Sequence, residues 1–148
     1  MSNELQNLDV TKLVEYTRKI NDIANLNKML AGNYLRDFII ALDITASMLS
    51  KATKANLEAK ASLDRTEAIA FLDKAGDYLQ TKGISASAEA RKKYIDIDPD
   101  VIEAKNKYAA SEAMCVFLKA KLQTFRCAHD DVKKISYGDT QQTNYEGF

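Results

Sequence analysis

Five cations and two tyrosines fall between positions 74 and 94: Lys74, Tyr78, Lys82, Arg91, Lys92, Lys93 and Tyr94. Cations that neutralise a phosphate backbone, interleaved with rings on which bases stack, are what unspecific binding of single-stranded nucleic acid requires, at about 1–3 kcal/mol per stacked base. The same stretch continues as "RKKYIDIDPDVIEA", and a second reading fits it. Asp98 is a good N-cap, Pro99 suits the first helical position, and Asp100 and Glu103 complement the positive end of a helix dipole. Arg91, Lys92 and Lys93 would then close the preceding helix, where positive charge is favourable. The acids and the proline are explained as a helix start, while both readings of the cations stand.

Other chemistry is sparse. His129 is the one histidine, and it sits on an apolar seam, as a packed histidine does. Cys115 and Cys127 fall in one predicted helix, about 18 Å apart along its axis, too far to bridge. Two reduced, buried thiols in a reducing compartment are expected. No His/Cys spacing suits zinc, no glycine-rich phosphate loop is present, and no nucleophile elbow occurs. Asp130 and Asp131 read as a solvated face. These observations imply neither an enzyme nor a metal or cofactor site, but a binding or assembly protein.

Those residues need elements to hold them. The chain has 148 residues, 46% hydrophobic, with one proline, five glycines and no tryptophan. So few breakers imply an all-α protein of long helices. A first helix is expected over 9–31, a long helical segment over 33–82, a short helix over 85–95 and a C-terminal helix over 99–136. Gly32, Gly83 and Gly138 mark the helix ends, and Ser85 or Ser87 caps the short helix. One helical domain over 1–136 is followed by a flexible tail, 137–148. Its rings Tyr137, Tyr145 and Phe148 could serve as a docking peptide or stand in solvent.

On the last helix, Val101, Ala104, Tyr108, Ser111, Cys115, Leu118, Leu122, Phe125, His129 and Val132 alternate spacings of three and four, a heptad seam. On the long segment, Leu35, Leu42, Leu49, Leu63 and Ala70 recur at sevens, with Asn56 on the same row. That asparagine either fixes register or oligomer state or faces water. Fifty helical residues would span about 75 Å, against a radius of gyration near 15 Å for a compact domain of this size. The long segment should therefore break, near Gly76 or around Thr45–Ser47, and a helical hairpin or bundle should assemble into a homo-oligomer. Leu35, Leu42, Leu49, Leu118, Leu122 and Phe125 are the expected interface.

Charge limits the partners. There are 21 basic and 21 acidic residues, so bulk attraction to polyanions is excluded and any DNA contact must be a local stripe, repeated by oligomerisation. No stretch approaches the roughly twenty apolar residues needed to span a bilayer, and the N-terminus lacks the features of a signal peptide. A cytoplasmic location without membrane contact is expected.

The order "LDKAGDYLQTKG", "AEARKKYI", "DPDVIEAKNKYAASEA" and "FRCAHDDVKKI" resembles phage recombination mediators of the UvsY type over roughly Leu57 to Ile135. The resemblance implies a helical, ring-forming protein in the host cell cytoplasm. Such a protein binds single-stranded DNA and helps a RecA-like recombinase displace single-strand binding protein. Where the family carries basic residues ahead of the Asp-Tyr pair, this chain reads Asp73, Lys74, Ala75, Gly76. The implied contact therefore shifts toward Lys82, Arg91, Lys92 and Lys93, with Lys74 as a partner. The competing expectation is a helical structural or adaptor protein, such as a virion component, a helicase-loading partner or a host-enzyme inhibitor, without DNA binding.

Overall fold

The computed structural model describes residues 8–138. All regular structure among them is helical: α1 is Lys12–Ile20, α2 is Lys28–Ile69, α3 is Ala75–Thr81, α4 is Ala88–Ile95 and α5 is Pro99–Tyr137. A 3₁₀ turn, Ile23–Asn25, lies between α1 and α2, and a π-helical turn, Ala70–Lys74, joins α2 to α3. The all-α architecture read from the scarcity of breakers is the one observed.

By its internal packing the chain forms two units. Among the described residues, one comprises 8–51 together with 116–138, and the other 52–115. In the first, α1, the start of α2 and the end of α5 close around apolar side chains. Leu13, Phe38, Leu118, Phe125 and Val132 are fully buried or nearly so. Phe125 meets Phe38 at 6.5 Å and Tyr16 edge-on at 6.3 Å between ring centroids. Burying each large side chain contributes roughly 1.5–3 kcal/mol. Lys19 joins α1 to α2 through Asp37 at 2.6 Å, and Lys121 Nζ donates to Thr17 Oγ1 at 3.1 Å.

Two helix boundaries differ from those expected. The first helix stops at Ile20, and Gly32 lies inside α2. The helix start is set instead by Asn27, whose side-chain oxygen accepts the Leu30 N–H at 2.9 Å, an N-cap bond. Nothing breaks α2 at Thr45–Ser47, because the buried Thr45 hydroxyl is satisfied by the Ala41 carbonyl at 2.6 Å. The regular ladder is interrupted at Ala70–Lys74, beside Gly76.

The contact row of α2 is also displaced. Ala31, Phe38, Ala41, Thr45, Met48 and Ala52 are buried, while Leu35, Leu42 and Leu49 flank them half-buried. On α5 the expected seam is the buried face: Val101, Ser111, Cys115, Leu118, Phe125 and Val132 are buried, and Ala104, Tyr108, Leu122 and His129 are half-buried. Leu118 and Phe125 are therefore enclosed within their own chain instead of offered to a partner. Cys127 is exposed, contrary to the expected pair of buried thiols, because it lies off the seam.

In the second unit, the later part of α2, α3, α4 and the first half of α5 pack together. Asn56 Nδ2 donates to Ser111 Oγ at 3.0 Å, and Ser111 Oγ donates to the Tyr108 carbonyl at 2.7 Å. The asparagine of the seven-fold row thus reaches α5 of its own chain and fixes the register between the two helices. α3 ends at Gly83, whose φ of 69° is the left-handed conformation that glycine adopts without strain. Ser87 caps α4 by accepting the Ala90 N–H at 3.2 Å. Tyr145 and Phe148 of the expected tail lie outside the described residues, and α5 itself runs through Tyr137. No helix among the described residues is long and apolar enough to cross a membrane.

Candidate nucleic-acid interface

Asp98 organises the region that carries the cations. It is 1% exposed and accepts on both carboxylate oxygens. Oδ1 takes the backbone N–H groups of Asp100 at 3.0 Å and Val101 at 3.1 Å, which makes it the N-cap that the sequence predicts. Oδ2 takes the Tyr94 hydroxyl at 2.8 Å and lies 3.5 Å from Lys74 Nζ. Lys74 also pairs with Asp100. Burial pushes the Asp98 carboxyl up, but the Tyr94 hydroxyl, the Val101 N–H and Lys74 outweigh it and hold the group below its usual value. The bond to Asp100 raises the Lys74 ammonium. Burial, then the bond to Asp98, raises the Tyr94 phenol.

Arg91 is committed as well. Nη1 donates to the Phe71 carbonyl in the π-helical turn at 2.7 Å, and Nε donates to the Ala86 carbonyl at 3.3 Å. The guanidinium lies 5.9 Å from the Phe71 ring centroid. A Cβ at position 76 would sit 3.3 Å from Arg91 Nη2, so Gly76 gives the guanidinium room to reach the turn. Arg91 thereby holds α4 against the junction of α2 and α3.

The seven predicted site residues consequently separate into two sets. Lys74, Arg91 and Tyr94 are half-buried and engaged with the chain itself. Tyr78, Lys82, Lys92 and Lys93 are exposed. The rings of Tyr78 and Tyr94 approach to 5.0 Å at an interplanar angle of 41°, and Lys82 Nζ lies 5.8 Å from the Tyr78 ring centroid. Lys93 is 3.9 Å from Glu89 one turn earlier, a solvent-exposed pair that contributes little. The expected partner Lys74 is a positioning residue here, for the physical reason that a buried carboxylate needs a cation.

Sequence reasoning missed two features. One is the role of Asp98 beyond capping; an acid four residues after a tyrosine was the available signal. The other is an open groove of ≈ 490 Å³ lined by Tyr78, Leu79, Ile84, Tyr94 and Ile97, with Lys93 and Glu89 also facing it. The first unit has a smaller depression of ≈ 350 Å³ lined by residues that include Val14, Arg18, Phe117 and Lys121. Phe117 stands off the α5 seam and is 40% exposed. Among the described residues no group of three or more His, Cys, Asp or Glu side chains could hold a metal ion. Comparison with known protein families, curated proteins and solved structures finds no match.

Proposed function

We propose that the protein is a phage-type recombination mediator, acting in the host cytoplasm, which binds single-stranded DNA as an oligomer and assists loading of a RecA-like recombinase against single-strand binding protein. The observation that carries this reading is the exposure of Lys82, Lys92 and Lys93, with Lys82 beside the exposed Tyr78 ring. Three exposed ammonium groups can follow phosphates, and the exposed Tyr78 ring can take a base. Lys74, Arg91 and Tyr94 act from behind, fixing the helices that present them.

A neutral chain binds a polyanion poorly by itself. Repeating the patch around an oligomer raises the effective concentration of cations without a new contact. Exposed apolar side chains favour self-association: Met29 is 85% exposed, Leu72 68% and Leu57 64%. The half-buried Leu35, Leu42, Leu49 and Leu122 can extend such contacts.

Titration of a labelled single-stranded oligonucleotide at low and at moderate salt tests the reading. Micromolar binding that weakens steeply with salt is expected, since counterions are released at each neutralised phosphate. Absence of salt-sensitive binding overturns it. The apolar groove favours a second reading, an adaptor that contacts only proteins. That reading predicts oligomers that ignore DNA.

A further inference from the structure

The depression in the first unit lies where α1 and the residues just before it meet α5. Val10, Val14 and Phe117 give it an apolar floor. Val14 is 46% exposed and Phe117 40%, so the core of the unit leaves this floor uncovered. Two cations stand over it. Lys121 Nζ lies 5.8 Å from the Phe117 ring centroid and donates to the Thr17 hydroxyl at 3.1 Å. That hydroxyl donates in turn to the Leu13 carbonyl at 2.8 Å. These bonds hold the ammonium at the depression without neutralising it. Arg18 lines the same depression and is exposed.

Charge decides what suits this surface. No acid lines it, and among the described residues neither Arg18 nor Lys121 pairs with a carboxylate. The next cation of α1, Lys19, is by contrast taken by Asp37 at 2.6 Å. Asp9, just before the lining residues, accepts the Thr11 N–H at 3.1 Å. Two unneutralised cations over an apolar floor favour a ligand with carboxylates beside an apolar side chain. Arg18 can take a carboxylate on two N–H groups, and Lys121 supplies a point charge. The volume of ≈ 350 Å³ is near the lower end of ligand clefts, roughly 300–1,000 Å³. It has room for one or two anchoring side chains of a short segment. A nucleic-acid strand needs cations in succession and a ring for each stacked base, and here there are two cations and one ring.

We infer that this depression docks a short acidic segment of another protein, with an apolar side chain on Val14 and Phe117 and carboxylates at Arg18 and Lys121. Asn21, exposed at the same site, can bond the backbone of the segment through its amide. None of these residues belongs to the proposed DNA contact, so the inference stands or falls separately from it.

The test titrates the full chain into a dye-labelled peptide, Gly-Asp-Glu-Leu-Phe-Asp-Glu-Gly, and follows fluorescence anisotropy. Micromolar binding that weakens with added salt is expected. Amide chemical shifts of the protein should move at the lining positions between 10 and 21 and at 117 and 121. Arg18→Glu and Phe117→Ser, both at exposed positions, should each weaken binding about tenfold with helicity unchanged. Absence of binding overturns the inference. So does equal binding of a peptide with lysines in place of the acids, shift changes confined to other residues, or affinity indifferent to both substitutions. The last arm adds a single-stranded oligonucleotide to peptide bound on a Lys82→Ala, Lys92→Ala, Lys93→Ala variant. The peptide should stay bound. Its displacement would make the depression a nucleic-acid contact and overturn the inference.

Discussion

The two units of this chain are held by different physics. In residues 8–51 and 116–138, the centre is aromatic and aliphatic: Phe38, Phe125, Tyr16, Leu13 and Leu118. In residues 52–115, the centre combines Ala52, Ala70, Ala75, Leu79, Val101 and Cys115 with polar anchors, namely Asp98 with Tyr94 and Lys74, Arg91 on the Phe71 carbonyl, and Asn56 on Ser111. Apolar packing is non-directional and tolerates repacking. Anchors of the second kind fix particular helices at particular angles, which a surface that presents cations to a ligand requires. The unit with the weaker apolar core is the one that carries the candidate site.

Substitutions should separate the two kinds of stabilisation. The largest effect is expected for Phe125→Ala, which empties the aromatic centre and should cost about 3–5 kcal/mol, read as the shift in denaturant midpoint. Asp98→Ala should come next. It removes an N-cap, at about 1 kcal/mol, and the bond from the half-buried Tyr94 hydroxyl, at about 0.5–1.5 kcal/mol. Asp98→Asn retains the cap and should lose less. Equal costs for the alanine and asparagine variants would remove the cap from this explanation.

Acid should act on the second unit through the same carboxylate. The folded state holds Asp98 below its ordinary value, so the folded protein binds that proton less readily than the unfolded chain. Its contribution is complete above the unfolded value of about 3.9. It is lost as pH falls through the folded value. The gap in melting temperature between the natural protein and Asp98→Asn should therefore narrow below about pH 4. A gap independent of pH would contradict the assignment. The smallest effect is expected for Asn56→Ala, about 0.5–1.5 kcal/mol for one hydrogen bond, measurable by calorimetry.

Legibility in the sequence followed the same divide. The α5 seam could be read because its apolar residues are large and regularly spaced, and Asp98–Pro99 is a local start signal. The α2 seam was displaced because Ala31, Ala41, Thr45 and Ala52 are among its buried residues, and small residues announce burial weakly. The turn before α2 carries neither glycine nor proline, and Asn27 does its work with one side-chain bond. An interruption near Gly76 could be expected from helix length, but the Arg91 bond to the Phe71 carbonyl, twenty positions away, could not be read from any local pattern. Of the predicted site, the cluster of cations and rings was readable. Its division into anchors and exposed groups was not, since that depends on where Asp98 is buried.

The most direct measurement compares the salt dependence of single-stranded DNA affinity in the natural protein with that of a Lys82→Ala, Lys92→Ala, Lys93→Ala variant. Each lost phosphate contact on a single strand should flatten the slope of log affinity against log salt by about 0.7, with helicity and oligomer mass unchanged. An identical slope in the two proteins, or no binding by either, would contradict the account.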